Sequence, residues 1–73
     1  MQIAKVIVDI PAMQTNRPFD YAIPPAMEQK LGKGMRVEVP FNTRVIQGFI
    51  TEISDHTDFE GALKEIIQPL DIE

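Results

Sequence analysis

The sequence predicts a mostly β fold: a small antiparallel sheet that curls into an incomplete, barrel-like (OB/SH3-like) domain. Two observations carry this prediction. Apolar and polar residues alternate in several short segments, and glycines and prolines separate these segments. Four or five short strands in 73 residues fit one small sheet with at most short helical turns, so residues 1–73 are expected to form a single domain.

The first strand is predicted over residues 2–10, "QIAKVIVDI". Its even-numbered apolar positions share one face, whereas Lys5 and Asp9 lie on the other. Pro11 ends this strand, and residues 12–18 show no periodicity and are expected to form a loop.

The stretch "RPFDYAIPP" is predicted to contain the second strand. In an extended chain Phe19 and Tyr21 share one face and Asp20 lies on the other, and Pro24 and Pro25 end the strand. Aspartate is depleted in strands, so Asp20 raises a question. Either its carboxylate faces solvent, or it meets a ligand.

A helical turn is expected after Pro25, before Gly32 and Gly34 break it. "GMRVEVPF" and "VIQGFITEIS" then alternate as two strands, and the short "NTR" between them predicts a hairpin. Gly48 in the second of these strands indicates either a bulge or a close approach to the backbone.

The C-terminal stretch is ambiguous. Apolar residues from Phe59 to Leu70 repeat at helical spacing, whereas Gly61 and Pro69 limit a helix to under two turns. "EIIQPL" could instead form a closing strand. The chain ends at "QPLDIE" without a clear stop signal, so it is expected to be the first part of a longer protein.

Charge and composition restrict the possible functions. The net charge is −4, which disfavours broad contact with phosphates but allows a small site for one nucleotide or one chain end. No cysteine is present, so neither a disulfide nor a cysteine-based zinc site can form within the chain. The N-terminal apolar run is too short for a signal peptide or a membrane helix, so a cytoplasmic location without membrane contact is expected.

Residues suited to catalysis are scarce. The only histidine, His56, adjoins Ser54 and Asp55, but a hydrolytic triad depends on geometry that sequence neighbours in a loop rarely provide. Asp55, His56 and Asp58 could surround a metal, although solvated turn residues explain them more simply. We therefore expect no enzyme activity, no metal and no cofactor in this chain.

Aromatic side chains could stack on nucleic-acid bases. The candidates are Phe19, Tyr21, Phe41, Phe49 and Phe59. The first three lie on the apolar sides of their strands, where core packing is the more common role.

"RPFDYAIPP", "GMRVEVPF", "QGFI" and "LKEIIQPLD", in that order, resemble the N-terminal domain of the PriA family (primosomal protein N′), the bacterial replication-restart helicases. The resemblance implies a domain without catalysis of its own. It would capture the 3′ end of the nascent leading strand at a stalled fork, and would act with other primosome proteins. The family's ATP-dependent motor and its zinc-binding cysteines would lie outside these residues.

The resemblance also implies a DNA-end pocket. The family's "FD" corresponds to Phe19 and Asp20, and its "LK" to Lys64, while Asn42 replaces a glycine of the family pattern. Residues 63–68 would be extended. A carboxylate is a strong acceptor for a free 3′-hydroxyl and would repel a 3′-phosphate. The alternative is a small β-barrel module that binds protein rather than DNA, or self-associates, through an exposed strand edge.

Overall fold

The computed structural model describes residues 2–9 and 17–70. These form one five-stranded sheet with strand order β2-β1-β4-β3-β5, in which all adjacent strands are antiparallel. The strands are β1 (Ile3–Val8), β2 (Phe19–Ala22), β3 (Arg36–Phe41), β4 (Arg44–Ser54) and β5 (Gln68–Pro69), and the one helical segment described is a 3₁₀ turn, Pro25–Met27. The predicted mostly β fold is confirmed.

The sheet is not closed into a barrel, and β2 and β5 are its edges. The C-terminal segment nevertheless approaches both sides of the opening. The Ala22 N–H donates to the Lys64 carbonyl at 2.9 Å, and the Ile66 N–H donates to the Ala22 carbonyl at 3.1 Å. One residue further, the Ile67 N–H donates to the Glu38 carbonyl of β3 at 2.8 Å. Residues 64–67 thus connect β2 to β3 by single hydrogen bonds, without a continuous ladder.

The core lies on one face of the sheet and follows the predicted alternation. Complete burial of one aliphatic side chain contributes about 1.5–3 kcal/mol, so these few residues dominate the stability of the domain. The buried cluster consists of Ala4, Val6, Val8, Tyr21, Ile23, Val37, Val39, Ile50 and Ile66. The predicted strand residue Ile10 and most of the predicted loop lie outside the described residues.

The predicted hairpin is present as β3 and β4. Phe41 pairs with Arg44 across a two-residue turn, in which Asn42 has a φ of 56°. Positive φ is the conformation that glycine adopts freely and that asparagine tolerates better than most residues. Asparagine at this position is therefore compatible with the conformation of the turn.

Gly48 marks a close approach between strands, one of the two predicted explanations. A Cβ at this position would lie 2.7 Å from the Ile7 carbonyl oxygen and 2.7 Å from Cγ1 of Val6. The irregularity in strand pairing lies elsewhere, since the β1–β4 register shifts between Lys5 and Val6. There the extra residue is Thr51, whose hydroxyl donates to the Lys5 carbonyl at 3.1 Å.

The C-terminal stretch contains no helix, so the helical periodicity is misleading. Glu65 forms a parallel bridge with Ala22, and Gln68–Pro69 is a strand, in agreement with the extended alternative. Backbone hydrogen bonds to two strands hold this segment extended, which outweighs the weak helical spacing. Within the described residues no helix is long and apolar enough to cross a membrane.

Candidate functional site

A cavity of about 330 Å³ lies between the edge of β2, the tip of the β3–β4 hairpin and the segment before Lys64. We call it the Asp20 cavity. Its lining is Phe19, Asp20, Tyr21, Pro40, Phe41, Asn42, Phe59, Ala62, Leu63 and Lys64. All four residues predicted from the family resemblance are in this set. The structure thus brings Phe19, Asp20, Asn42 and Lys64 to one cavity, although Lys64 is 44 residues after Asp20 in the chain.

Asp20 is held by two donors. Lys5 is its partner across the β1–β2 ladder, and Lys5 Nζ lies 3.2 Å from Asp20 Oδ1. The Thr57 hydroxyl donates to Asp20 Oδ2. The Asp20 side chain is only 14% exposed. A carboxylate offers about four acceptor positions, so a fixed Asp20 retains acceptor capacity for a further donor from a ligand.

The backbone of β2 also faces the cavity. The N–H and C=O of Ala22 bond to residues 64 and 66, away from β1. In an antiparallel pair, alternate residues direct their backbone groups to the same side. The N–H and C=O of Asp20, two residues earlier, therefore point towards the same edge, where the cavity lies.

Aromatic rings form the inner wall. The Phe19 and Phe41 ring centroids are 5.3 Å apart with an interplanar angle of 77°, an edge-to-face arrangement. The Tyr21 hydroxyl donates to the Pro40 carbonyl at 2.8 Å, and burial raises the pKa of the Tyr21 hydroxyl above its ordinary value. Tyr21 belongs to the buried core, and Phe19 and Phe41 pack against that core from half-buried positions. The predicted core role is confirmed, and these rings line the cavity as well.

Asn42 and Lys64 form parts of the rim. Both residues are exposed. Asn42 sits in the left-handed conformation at the hairpin tip, so its side chain is placed where a glycine would leave open space. The Lys64 carbonyl is used by the Ala22 N–H, which fixes the backbone there and leaves the lysine side chain to contribute to the cavity.

Two supporting residues were not predicted from the sequence. Lys5 and Asp20 were each assigned to the polar face of a strand, but their pairing depends on a register that alternation alone does not give. Thr57 lies in a loop without periodicity, and no sequence pattern indicates its contact with Asp20. Its hydroxyl also accepts the Phe59 N–H at 3.1 Å, so Thr57 links the site carboxylate to the loop.

The possible hydrolytic triad has no suitable geometry. The Ser54 hydroxyl interacts with the backbone of His56, while His56 Nε2 lies 3.0 Å from Asp58 Oδ1. The imidazole thus contacts Asp58 rather than the serine, in an exposed position. Among the residues that the structure describes, no group of three or more histidine, aspartate or glutamate side chains could hold a metal ion.

A second cavity, of about 250 Å³, lies where β1, β4 and β3 adjoin. We call it the sheet-face cavity. It is lined by Ile7, Val8, Asp9, Arg36, Gln47, Gly48 and Phe49. Ile7, Phe49 and Arg36 are direct cross-strand neighbours on β1, β4 and β3, so strand pairing places these three residues side by side.

Comparison with known proteins identifies the type of domain. A family model described as the 3′ DNA-binding domain (3′BD) of PriA matches residues 5–73. The replication restart protein PriA of Bacillus subtilis (strain 168) is 44% identical to this chain over 73 residues. That alignment covers 99% of the chain but 9% of the relative, so the chain spans about a tenth of that protein's length.

Proposed function

The chain belongs to the family of PriA 3′ DNA-binding domains, and we propose that its Asp20 cavity binds the terminal nucleotide at the 3′ end of a DNA strand. The observation that carries this proposal is a carboxylate that is fixed by two donors and largely shielded from solvent, inside a cavity. Small-ligand pockets span about 300–1,000 Å³, so this cavity suits one nucleotide better than a length of strand.

Asp20 would distinguish a strand end from the middle of a strand. A 3′-terminal nucleotide carries a free hydroxyl, and an ionised carboxylate accepts a strong hydrogen bond from it. An internal nucleotide has no such donor. A 3′-phosphate also lacks that hydroxyl, and it would bring a second anion next to the Asp20 carboxylate.

The base would be bound without being identified. The backbone N–H and C=O of Asp20 point towards the cavity, and one donor beside one acceptor can serve the polar edge of different bases. Phe19 and Phe41 provide apolar surface beside them. Such a site needs few phosphate contacts, which is compatible with the net charge of −4.

In a longer protein of this family, we propose that the domain presents the 3′ end of the nascent leading strand at a stalled fork during primosome assembly. The helicase activity, the ATP and zinc sites, and contacts with other primosome proteins would belong to other regions. Binding by hydrogen bonds and packing needs no cofactor in this domain. The setting would be the cytoplasm.

Protein binding by strand addition has weaker support. β5 is a two-residue edge that contains Pro69, and proline cannot donate to an added strand. The other edge, β2, is partly covered by the hydrogen bonds of residues 64–66 with Ala22. Both features reduce the backbone available to a partner strand.

The test is the fluorescence anisotropy of three short, otherwise identical single strands that end in a 3′-hydroxyl, a 3′-deoxy sugar or a 3′-phosphate. A hydrogen bond to a charged group contributes about 1.5–3 kcal/mol, so the hydroxyl end should bind at least about tenfold more tightly than the deoxy end. The phosphate end should bind more weakly still. Each neutralised phosphate lowers log K by about 0.7 per decade of salt, so one or two contacts predict a shallow slope. Equal affinity for all three ends, with the domain folded by circular dichroism, would contradict the proposal.

A further inference from the structure

We propose that Phe59 is the surface against which the base of the bound end nucleotide packs, and that Thr57 is the residue that positions it. This inference rests on the proposed function of the Asp20 cavity. It assigns a base contact to Phe59, in the loop that follows β4, in addition to the contacts proposed for the Asp20 backbone and for the Phe19 and Phe41 rings.

Phe59 differs from the other aromatic residues of the cavity. Tyr21 is buried, and Phe19 and Phe41 pack against each other and against the core. Phe59 lines the same cavity but remains 57% exposed. It is therefore the aromatic residue here with the most surface available to a ligand.

The position of Phe59 is coupled to the site carboxylate. Its backbone N–H donates to the Thr57 hydroxyl oxygen at 3.1 Å, and the same hydroxyl donates to Asp20. On the other side, Cε2 of the Phe59 ring lies 3.6 Å from the place that a Cβ of Gly61 would occupy, and Gly61 has a φ of 114°. Thr57 thus holds the backbone of Phe59, and the Phe59 ring lies close to Gly61.

The distribution of charge favours a base over a phosphate at this ring. Asp58 and Glu60 flank Phe59, and both are exposed. Two carboxylates repel the phosphate backbone but have little effect on an uncharged base. Packing of a base on an aromatic side chain also tolerates any base identity, because every base has a π face.

The geometry of a nucleotide completes the argument. The 3′-hydroxyl and the base are attached to the same sugar, so a hydroxyl held by Asp20 keeps the base within the same cavity. Because Thr57 bonds both to Asp20 and to the Phe59 backbone N–H, the group that binds the hydroxyl is linked to the segment that carries the ring.

The experiment compares two strands that both end in a 3′-hydroxyl. One has a normal terminal nucleotide, and the other ends in a stable abasic tetrahydrofuran residue. Base stacking contributes about 1–3 kcal/mol, so the unmodified domain should bind the normal end about tenfold more tightly. Phe59→Ala should reduce this difference to the part that the Asp20 backbone and the Phe19 and Phe41 rings provide, while its affinity for the abasic end stays the same. Phe49→Ala is the matched control: it removes a ring that is 46% exposed in the sheet-face cavity, and should change neither affinity.

Two variants test Thr57. Thr57→Val removes the hydroxyl and should reduce the preference for the normal end, whereas Thr57→Ser keeps a hydroxyl and should retain that preference. Thr51→Val, which removes a part-buried hydroxyl bonded to the Lys5 carbonyl, is the control for loss of a threonine hydroxyl. Unchanged binding by Phe59→Ala would overturn the inference, as would an equal loss for both ends. If the unmodified domain instead shows no preference for a 3′-hydroxyl over a 3′-phosphate, the proposed function itself is at fault.

Discussion

The two cavities of this domain contain similar groups but differ in how those groups are held. Each has one exposed phenylalanine, one aspartate and one basic side chain, and their volumes are about 330 and 250 Å³. Asp20 is shielded and bonded to Lys5 and Thr57, whereas Asp9 in the sheet-face cavity is exposed. An exposed carboxylate is satisfied by water. A shielded one needs fixed donors, and it gains from a ligand that supplies another.

The cavities also differ in how the chain builds them. The sheet-face cavity consists of neighbours on three adjacent strands, which strand pairing alone brings together. The Asp20 cavity requires β2, the hairpin tip and the loop before Lys64, which meet only through tertiary contacts. We therefore propose that the Asp20 cavity, rather than the sheet-face cavity, is the functional site of the domain.

The largest expected effect on stability comes from a substitution at Gly48, which lines the sheet-face cavity between β1 and β4. Gly48→Ala places a Cβ 2.7 Å from the Ile7 carbonyl oxygen, so β1 and β4 must move apart. Overpacking of this kind typically costs about 1–3 kcal/mol, and we expect the free energy of unfolding in urea to fall by that amount. Residual folded protein should keep its preference for a 3′-hydroxyl, since Gly48 does not line the Asp20 cavity.

Gly32→Ala is the matched control for this prediction. A Cβ there meets nothing within 4 Å, and Gly32 does not have positive φ. We expect stability equal to the unmodified domain or higher by less than about 1 kcal/mol. Equal stability of the two variants would mean that β1 and β4 are not as closely packed as described.

A smaller effect is expected from Tyr21→Phe at the base of the Asp20 cavity. The change leaves the Pro40 carbonyl without the hydroxyl of Tyr21, at a cost of about 1 kcal/mol near neutral pH. Loss of end binding should be slight, because the ring that shapes the cavity remains.

The same variant tests the raised pKa of Tyr21. Burial disfavours the phenolate, so the folded state holds this proton to higher pH than the unfolded state, whose pKa is about 10.0. The stabilisation that comes from the raised pKa of Tyr21 in the folded state is fully present below pH 10.0. It is lost as the pH rises through that raised pKa. Above pH 10.0, the free energy of unfolding in urea should fall more steeply with pH for the unmodified domain than for Tyr21→Phe. If the free energy of unfolding depends on pH in the same way for both proteins, the raised pKa of Tyr21 is contradicted.

Much of the fold could be predicted because alternation and turn residues act locally. Ala4, Val6 and Val8 are buried as their spacing requires, and the hairpin closes around Asn42 as its turn chemistry allows. The sequence was misleading after Phe59, where helical spacing competes with backbone hydrogen bonds that only the assembled sheet supplies. Local patterns do not contain that information.

The sequence likewise predicts only some of the residues of the Asp20 cavity and its supporting contacts. The family resemblance indicates the four site residues Phe19, Asp20, Asn42 and Lys64. Neither alternation nor resemblance indicates the contacts of Lys5 and Thr57. The Lys5 contact depends on strand register, and the Thr57 contact depends on the path of an irregular loop. Both are needed to explain why a carboxylate at this edge of the sheet is fixed rather than solvated.

The most direct test of the central claim combines Asp20→Asn with the hydroxyl and deoxy strand ends, and uses Asp9→Asn as the control. If Asp20 accepts the 3′-hydroxyl, the unmodified domain and Asp9→Asn should prefer the hydroxyl end by about tenfold or more. Asp20→Asn should bind both ends with the weak affinity that the unmodified domain shows for the deoxy end. A folded Asp20→Asn variant that still prefers the hydroxyl end by the full factor would show that Asp20 only anchors Lys5 and Thr57.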